Sequence, residues 1–457
     1  MNRPYEEQMD LKGKRVLVVG LGRTGLACTR FLKERGAEVT ISETKPEDQI
    51  QEGLKEVERF KVRVETGGNR EESFLNADFI VVSPGVSLNI PPLEKAKEKG
   101  KEIMSEIELA YRFCERPVIA ITGTNGKSTT TSLLGEIFKA SGKKVFVGGN
   151  LGNPMIEMFF SPEPVEYVIA EISSFQLEAI NRFRPSISIL LNITPDHLDR
   201  YATYAEYIEA KARIFVNQGK DDHAILNADD PECVKLSGAI KSRVSFFSTR
   251  KHVRNGCSVE GDDLCYQSGG VKERYAIKDL SLTGIHNYEN IMAAIMASKI
   301  YGLPSDAIRI ALKQFRALEH RMELVRVING VKFYNDSKGT NVGAAARSLE
   351  SFPSNIILIA GGKDKGGDYR ILREPAQGRL KSLVLLGQAK EKIKEALGDM
   401  APAHVVKDLD EAVSTAFKIS SPGDTVLFSP ACSSFDMFRN FEERGELFKN
   451  LVNRLPV

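Results

Sequence analysis

The run Gly123–Ser128 (GTNGKS) brings together residue types that can bind a phosphate group. Backbone N–H groups in a glycine-rich turn and at a helix N-terminus attract anions, and a lysine such as Lys127 can reach between two phosphates. The hydroxyl of Ser128 or Thr129 can hold Mg²⁺. The turn is shorter than a standard P-loop, because only two residues separate its glycines. An ordinary strand-to-helix turn is the alternative, but the order of glycines, lysine and paired hydroxyls favours phosphate binding.

A second glycine-rich run, Gly20–Gly25 (GLGRTG), follows the apolar segment Arg15–Val19. Such a turn lets the backbone approach a diphosphate, and Glu43, after a second predicted strand over Glu38–Ser42, can meet a ribose hydroxyl. An NAD-dependent dehydrogenase is the obvious interpretation. Because a second phosphate-binding run follows about a hundred residues later, a diphosphate that belongs to the substrate is the alternative.

Three ionisable residues stand at positions that need an explanation. Glu171 lies near the end of the apolar segment Tyr167–Ile172, and a buried carboxylate there needs either Mg²⁺ or a salt bridge. His197 lies among carboxylates after another apolar segment, which suits a metal ligand or a proton-transfer role as well as a structural one. Lys211 shares a predicted helix face with apolar residues, although a surface lysine is the alternative.

The last third of the chain carries polar motifs at the ends of apolar segments. They are Asn335–Asn341, Gly361–Gly367 and Ser429–Asp436. The carboxyl ends of parallel strands meet at one edge of a sheet, so the three motifs can form an anion pocket there, with solvated turns as the alternative. Asn287 and Asn290 precede an apolar helix predicted to begin at residue 291, where they either cap the helix or meet a ligand.

Recurring strand–turn–helix units must position these motifs. The pattern predicts an α/β fold with mostly parallel sheets. At 457 residues, the chain should form about three domains. Residues 250–275 are polar with few strand signals, and we assign them no chemistry.

Composition narrows the class of protein. The 63 basic and 61 acidic residues form no long run of like charge, which argues against a dedicated nucleic-acid surface. Six cysteines without CxxC pairs indicate neither a disulfide framework nor a zinc site, and they suit a reducing cytoplasm. The N-terminus is polar, and no apolar run approaches the roughly 18 residues of a membrane span. We expect a cytoplasmic protein without membrane insertion that acts as a monomer.

The motifs together resemble those of the Mur ligase family of peptidoglycan synthesis, over nearly the entire chain. The GTNGKST run is shared with the wider family, which includes folylpolyglutamate synthetase. More specific are GLGRTG, EISSFQLE, NITPDHLDRY, HNYEN, NDSKGTN and SPACSSFDMF. They are most similar to the members that join D-glutamate to UDP-N-acetylmuramoyl-L-alanine. The resemblance implies an N-terminal Rossmann-like domain for the UDP-sugar (1–106), a central P-loop ATPase domain with a mostly parallel sheet (107–317) and a C-terminal Rossmann-like domain for the amino acid (318–457).

The resemblance also implies roles for single residues, at positions that match the family's motifs. The residues expected to bind ATP are Gly123, Thr124, Asn125, Gly126, Lys127, Ser128, Thr129, Asn287, Asn290, Arg321, Asp336 and Lys338. Those expected near the UDP moiety are Leu21, Arg23, Thr24, Gly25, Glu43, Thr44 and Ser83. In this group Glu43 stands where the family often has an aspartate.

Further positions are implied for the muramoyl substrate, the amino acid and the metal ions. Asn150, Ser173, Gln176 and His197 are expected to contact the muramoyl substrate or the second metal. Thr340, Lys365, Ser434 and Phe441 match positions that receive D-glutamate. The implied Mg²⁺ ligands, at two sites, are Ser128, Glu171, His197 and Lys211, the last as a carbamate.

The reaction that the resemblance implies has two steps. ATP phosphorylates the alanine carboxylate, and the amine of D-glutamate then attacks the acyl phosphate. Two Mg²⁺ ions, Lys127 and His197 would neutralise the phosphoryl oxygens, while Lys211, as a carbamate, would be a metal-binding anion. The alternatives are another Mur ligase, a ligase like folylpolyglutamate synthetase, an NAD-dependent dehydrogenase, or a nucleotide-gated binding protein without ligase chemistry.

Overall fold

A computed structural model describes residues 9–282, 284–316 and 318–456. Among these residues, strands form three sheets of five, nine and six members. The predicted domain boundary at residue 317 lies outside the described residues, as do residues 1 and 457, the outer ends of the first and last predicted domains. By its contacts the chain divides into two compact units. The first consists of Met1–Ile193, Ile208–Leu280 and Asn287–Gln314, and the second of Thr194–Tyr207, Ser281–His286 and Phe315–Val457.

The first sheet is parallel and has the spatial order β3-β2-β1-β4-β5. Its strands are β1 (Arg15–Val19), β2 (Glu38–Ser42), β3 (Arg63–Glu65), β4 (Phe79–Val82) and β5 (Glu102–Ser105). The helices of this region are α1 (Arg23–Glu34), α2 (Gln51–Glu58), α3 (Glu71–Asn76), α4 (Pro91–Glu98) and α5 (Glu106–Phe113). Because the strand order reverses at β1, the carboxyl ends of β1 and β4 border the crevice where open α/β sheets bind ligands.

The second sheet has the order β14-β13-β12-β11-β10-β9-β6-β8-β7. Its strands are β6 (Val118–Thr122), β7 (Val145–Gly149), β8 (Tyr167–Glu171), β9 (Ile187–Leu190), β10 (His223–Asn227), β11 (Arg243–Ser248), β12 (Gly256–Glu260), β13 (Asp263–Ser268) and β14 (Val271–Ala276). Its helices are α6 (Lys127–Ala140), α7 (Ser174–Glu178), α8 (Tyr204–Ala212), α9 (Pro231–Ser237), α10 (Ile285–Ile300) and α11 (Ser305–Gln314). The β12–β13 and β13–β14 pairs are antiparallel, and all other pairs of this sheet, including β11–β12, are parallel.

The prediction of few strands in residues 250–275 is wrong, because β12, β13 and β14 form two consecutive hairpins there. Gly261 and Gly269 supply positive φ angles at the two turns. An antiparallel hairpin can leave one face in water, so its strands carry polar residues that hide the strand pattern.

The third sheet has the order β15-β16-β20-β17-β18-β19 and is parallel except for the β15–β16 hairpin. Its strands are β15 (Glu323–Ile328), β16 (Val331–Asn335), β17 (Ile356–Gly361), β18 (Leu380–Leu386), β19 (Ala403–Val405) and β20 (Thr425–Phe428). Its helices are α12 (Val342–Glu350), α13 (Arg373–Ala376), α14 (Lys390–Leu397), α15 (Leu409–Ile419) and α16 (Phe441–Asn453). Apolar clusters cover both faces of this sheet.

Burial explains why the central strands have almost continuous apolar sequences. Every residue of β6, β9 and β17 is buried, as expected for parallel strands that are covered on both faces. All six cysteines are buried free thiols. Within the described ranges, the helices lack the length and apolar character that crossing a bilayer requires.

Candidate active site

The phosphate-binding run forms the turn between β6 and α6. Gly126 stands at the N-terminus of α6 with φ = +87°, in the left-handed region. A Cβ atom at this position would lie 2.2 Å from Oδ1 of Asn290, so both the backbone angle and the close approach require glycine. Ser128 and Thr129 are buried in the first turn of the helix. N–H groups of a helix's first turn have no acceptor within the helix, which makes this turn suitable for an anion.

Two lysine ammonium groups meet at the carbonyl oxygen of Gly123. Lys127 donates to this oxygen and to the carbonyl oxygen of Thr124, at 2.9 Å in each case. Lys211, from α8, donates to the Gly123 oxygen at 2.8 Å, and only 1% of the residue is exposed. The alternative of a surface lysine is therefore wrong for Lys211. Two cations side by side make the turn electropositive, which favours a phosphate there.

Asn192, from the loop after β9, braces the same turn. Its side chain accepts the N–H of Asn125 at 2.9 Å and donates to the carbonyl of Asn125 at 3.1 Å. Its own carbonyl accepts the N–H of Thr124 at 2.9 Å. We did not single out Asn192 from the sequence, because the two segments lie 67 residues apart and no local pattern links them.

Asn290 supports the turn from α10. Its Oδ1 accepts a hydrogen bond from Oγ1 of Thr130 at 3.2 Å, and the side chain occupies the space beside Gly126. The prediction that the helix begins at residue 291 is wrong, because α10 begins at Ile285. The first residues of α10 are mostly polar, so the apolar pattern by which we recognised the helix begins only at residue 291. Asn287 and Asn290 thus lie inside the helix, and Asn290 does not cap it.

Glu171, the last residue of β8, lies beside Ile121 in the strand that leads into the phosphate-binding turn. Its Oε1 accepts a hydrogen bond from Nδ2 of Asn150 at 2.8 Å. Its Oε2, like Oγ1 of Thr129, is buried without a hydrogen-bond partner in the described part of the chain. Leaving a carboxylate oxygen buried and unpaired is costly. Hard oxygen ligands are those that Mg²⁺ prefers, so these residues fit a Mg²⁺ ion.

Ser173 and Gln176 form a capping box at the start of α7. The Ser173 hydroxyl accepts the N–H of Gln176 at 3.3 Å, and Oε1 of Gln176 accepts the N–H of Ser173 at 2.9 Å. The reciprocal bonds hold the two side chains directly after Glu171. Their expected contact with the muramoyl substrate stays a prediction.

The N-terminal glycine run forms the turn between β1 and α1. A Cβ atom on Gly25 would lie 1.9 Å from the carbonyl oxygen of Gly20, so no side chain fits there. Glu43, directly after β2, accepts the N–H of Leu21 at 2.8 Å, and Oγ of Ser83 donates to the Gly20 carbonyl at 3.3 Å. The structure therefore brings the ends of β1, β2 and β4 together around the run.

The remaining candidates of this region border the same turn. Arg23 and Thr24 open α1, and Nη1 of Arg23 donates to the carbonyl of Gly152 at 2.7 Å. Oγ1 of Thr44 donates to Glu43 at 3.4 Å. Arg23 therefore links the N-terminal turn to the loop that carries Asn150.

In the second compact unit, His197 follows a carboxylate that we did not single out from the sequence, Asp196. His197 has φ = +56°, and its N–H donates to Oδ1 of Asp196 at 2.9 Å. Lys365 and Asn341 both bind the Asp196 carboxylate at 2.8 Å. Burial alone would raise the pKa of Asp196, but the charges of Lys365 and His197 lower it below its ordinary value.

Asp336, directly after β16, is buried and accepts hydrogen bonds from two other segments of this unit. Its Oδ2 accepts hydrogen bonds from the hydroxyls of Ser348 at 2.6 Å and Ser429 at 2.7 Å. Burial raises the pKa of Asp336, although these hydroxyls and the charge of Arg321 act in the opposite direction. The carboxyl group therefore joins the ends of β16 and β20.

The three polar motifs of the third sheet are brought together at one edge. The N–H of Ala431 donates to the carbonyl of Gly339 at 2.9 Å, and the N–H of Lys363 donates to the carbonyl of Ser433 at 2.9 Å. These bonds connect the turns that follow β16, β17 and β20. The expected amino-acid-binding residues Thr340, Lys365 and Ser434 lie on these turns, and Phe441 opens α16.

Phe441 is also linked to one of the expected nucleotide-binding residues. The ammonium group of Lys338 lies 3.8 Å from the centroid of the Phe441 ring, within the range of a cation–π interaction. The N–H of Thr340 donates to the carbonyl of Lys338 at 2.8 Å. Lys338, which is expected to bind ATP, and Phe441, which is expected to bind D-glutamate, therefore lie next to each other in this unit.

Comparisons with known proteins cover almost the whole chain. Three family models match it in succession: the Mur ligase MurD-like N-terminal domain over 14–105, the Mur ligase middle domain over 121–298 and the Mur ligase glutamate ligase domain over 320–432. A UDP-N-acetylmuramoylalanine–D-glutamate ligase from Geotalea uraniireducens is 51% identical over 98% of this chain and 99% of its own length. The chain belongs to the Mur ligase family.

Further relatives and structures agree with this assignment. A protein of the same name from Acidobacterium capsulatum is 45% identical, with 97% of each chain covered. A pseudomurein peptide ligase type C from Methanothermus fervidus has a TM-score of 0.61 at 18% identity, covering 97% of this chain and 100% of its own. UDP-N-acetylmuramate-alanine ligase MurC from Thermotoga maritima also has a TM-score of 0.61 at 18% identity, with 96% and 99% covered. At such low identity the two structures support the fold.

As a Mur ligase, this protein is an ATP-dependent, ADP-forming amide ligase. The family uses ATP with Mg²⁺. The predicted family and the predicted α/β fold with mostly parallel sheets are confirmed, and the dehydrogenase alternative is wrong.

Proposed function

We propose that this Mur ligase joins the amino group of D-glutamate to the alanine carboxylate of UDP-N-acetylmuramoyl-L-alanine, through an acyl phosphate, in peptidoglycan biosynthesis. The relatives with that name match over nearly their full length. The observation that carries the chemistry is the phosphate-binding turn with the Lys127 ammonium at the Gly123 carbonyl and, on the neighbouring strand, a Glu171 oxygen that has no hydrogen-bond partner among the described residues. Such a site suits phosphoryl transfer.

The first step transfers the terminal phosphoryl group of ATP to the alanine carboxylate and releases ADP. Backbone N–H groups of Gly126–Thr129, at the N-terminus of α6, hold the phosphates, and Lys127 moves from its carbonyl partners to the phosphoryl oxygens. Ser128, Thr129 and Glu171 would hold Mg²⁺, which neutralises developing negative charge on the phosphoryl group. Further proposed nucleotide-binding residues are Asn287 and Asn290 in the first compact unit and Arg321, Asp336 and Lys338 in the second.

In the second step the glutamate amine attacks the acyl carbon, the amide bond forms, and phosphate leaves with the electron pair of the broken C–O bond. Lys365, Thr340, Ser434 and Phe441 would hold the amino acid, and a cationic lysine suits its carboxylates. His197 or a nearby carboxylate accepts the proton that the amine loses. Asn150, Ser173 and Gln176 would orient the muramoyl part.

We also propose that Lys211 is carbamylated. Its amine would add to CO2 and lose a proton, which replaces a buried cation with a carboxylate-like metal ligand. The burial of Lys211 beside the phosphate-binding turn supports this, because an ammonium ion loses its hydration there.

Replacing Lys211 by alanine tests the carbamate. We expect Lys211→Ala to lose activity about a hundredfold, as for removal of one electrostatic group at a reacting centre, and added formate or acetate to restore part of it. Lys139→Ala, at an exposed lysine of α6, is the matched control. Full activity of Lys211→Ala, or no recovery with any short carboxylate, would count against a carbamate.

The N-terminal turn would hold the UDP diphosphate of the substrate. Leu21, Arg23, Thr24 and Gly25 lie on or directly after the glycine turn, and Glu43, Thr44 and Ser83 border it. Two observations support this proposal. Gly25 lets the start of α1 pack against the Gly20 carbonyl, and the turn lies at the crevice between β1 and β4.

The deciding experiment measures phosphate release from ATP with UDP-N-acetylmuramoyl-L-alanine and a panel of amino acids. We expect release with D-glutamate and little with L-glutamate, L-alanine, L-lysine or meso-diaminopimelate. Preference for another amino acid would point to a different Mur ligase. Release that does not depend on any amino acid would favour a nucleotide-gated binding protein.

The proposal also covers the domain bounds, the oligomeric state and the cellular location. We propose domains over 1–106, 107–317 and 318–457, supported by the three sheets and by family matches inside each range. We also propose a monomer in the cytoplasm, where buried reduced thiols are stable. Light scattering of the purified protein tests the monomer.

A further inference from the structure

Asp196 is the point where two expected site residues, His197 and Lys365, meet within the second compact unit. Its Oδ1 accepts hydrogen bonds from the ammonium of Lys365 at 2.8 Å and from the N–H of His197 at 2.9 Å. Its Oδ2 accepts from Nδ2 of Asn341 at 2.8 Å. The side chain of Asp196 is 6% exposed and that of Lys365 is 14% exposed, so this ion pair is largely removed from water.

Asn341 fixes the other side of the carboxylate. It is the N-cap of α12, where its Oδ1 accepts the N–H of Ala344 at 2.7 Å. The side chain of Asn341 is thus held by a helix end while its amide group donates to Asp196. A rigid helix terminus is thereby connected through two hydrogen bonds to the ammonium of Lys365.

A lysine side chain needs such support to act as a specific ligand. Its four-carbon stem carries about 2 kcal/mol of rotamer entropy, which is lost when the ammonium is fixed in one place. An ammonium group has three donors, so a bond to Asp196 leaves others for a substrate carboxylate. Holding the ammonium in advance removes a cost that binding would otherwise incur.

We propose that Asp196 is a positioning residue that holds Lys365 for the carboxylate of the incoming acidic amino acid. This inference rests on the proposed function, because it takes Lys365 as an amino-acid ligand. A positioning role requires no contact between Asp196 and the reacting atoms. Its effect should therefore appear in the KM for D-glutamate and should depend on the presence of Lys365.

Two other roles of the Asp196–Lys365 ion pair predict different changes in KM. If Asp196 merely competed with the substrate for Lys365, its removal would lower the KM for D-glutamate. If it only stabilised the fold, its removal would affect all three substrates or none.

Steady-state phosphate release distinguishes these roles. For Asp196→Ala we expect the KM for D-glutamate to rise about ten- to a hundredfold, the effect of a charge-assisted hydrogen bond. The KM values for ATP and the UDP-sugar should change less than about twofold. In a Lys365→Ala background, adding Asp196→Ala should change the KM for D-glutamate less than about twofold, because residues that act through one another are not additive.

Two further variants keep the test decisive. Asp196→Asn preserves the side-chain shape and can still accept from Lys365 and His197, so we expect a smaller rise of about three- to tenfold, and it decides the question if Asp196→Ala does not fold. Asp399→Asn, in the exposed Arg373–Asp399 pair of the same unit, should leave all KM values unchanged.

The inference is overturned if the KM for D-glutamate is unchanged or lower in both Asp196 variants, or if Asp196→Ala has the same effect with and without Lys365. It is equally overturned if the three KM values rise together. Failure of the wild-type protein to release phosphate with D-glutamate would instead sink the proposed function.

Discussion

At the scale of single residues, the strongest indication of a metal ion is a pair of buried oxygen atoms that have no hydrogen-bond partner within the described part of the chain. Oε2 of Glu171 lies at the end of β8, and Oγ1 of Thr129 lies in the first turn of α6. Strand β6 pairs with β8 and leads into α6. Proteins pair nearly all buried polar side-chain atoms. Of the unpaired buried atoms among the described residues, these two oxygens lie on elements that border the phosphate-binding turn, where a cation would satisfy both.

We predict that Glu171→Gln reduces turnover about a hundredfold or more, because the amide cannot neutralise a metal ion in a phosphoryl-transfer site. The amide oxygen can still accept from Asn150, so the local structure should persist. The measurement is phosphate release as a function of Mg²⁺ concentration, with thermal unfolding to check the fold. Glu166→Gln, at a half-exposed glutamate before β8, is the control. Wild-type turnover in Glu171→Gln would exclude Glu171 as a metal ligand.

At the scale of elements, the β6–α6 turn is shaped by residues that close in on it from α10 and from the loop after β9. Asn290 and Asn192 supply these contacts. These contacts hold the turn in the geometry described above. A side chain at Gly126 would have to displace Asn290.

We predict that Gly126→Ala lowers kcat/KM for ATP about a hundredfold, because a displacement of about 1 Å at a reacting site has that effect. Gly142→Ala is the matched control: Gly142 has φ = +75°, yet a Cβ atom there would meet nothing within 4 Å. Both variants incur the left-handed backbone penalty of about 1 kcal/mol. ATP titrations of the two variants separate that penalty from the clash, and equal losses would show that the contact with Asn290 is unimportant.

The elements also show which parts of the structure the sequence could predict. The bounds of β1 and β2 were predicted, since β1 is a nearly continuous apolar segment that ends at Gly20 and β2 follows the helix that Gly36 ends. The hairpins of β12, β13 and β14 were missed because one solvated face hides their pattern. Asn192 and Asp196 were missed for another reason: their partners are distant in sequence, and only the folded chain brings them together.

At the scale of the whole molecule, the first compact unit contains two sheets, and α5 lies between them in the chain. Two buried glutamates of α5 bind backbone N–H groups of the central region. Glu108 accepts from Asn181, Arg182 and Phe183, and Glu106 accepts from Ile156 at 2.6 Å. The second oxygen of Glu106 is buried without a hydrogen-bond partner among the described residues. The stability of this unit should therefore depend on the ionisation of Glu106.

We predict that this dependence has a definite sign. Burial raises the pKa of Glu106 to about 7, while the unfolded chain should release the proton near pH 4.5. The folded state therefore holds more protons between those values, and its stability falls as the pH rises through them. Between pH 5 and pH 8 the wild-type protein should lose up to about 3 kcal/mol of unfolding free energy relative to Glu106→Gln, which cannot ionise.

Urea unfolding at both pH values measures this difference, and Glu98→Gln, at an exposed residue of α4, should behave like the wild type. If Glu106→Gln and the wild type lost stability in parallel, Glu106 would be ionised in the folded protein across the whole range.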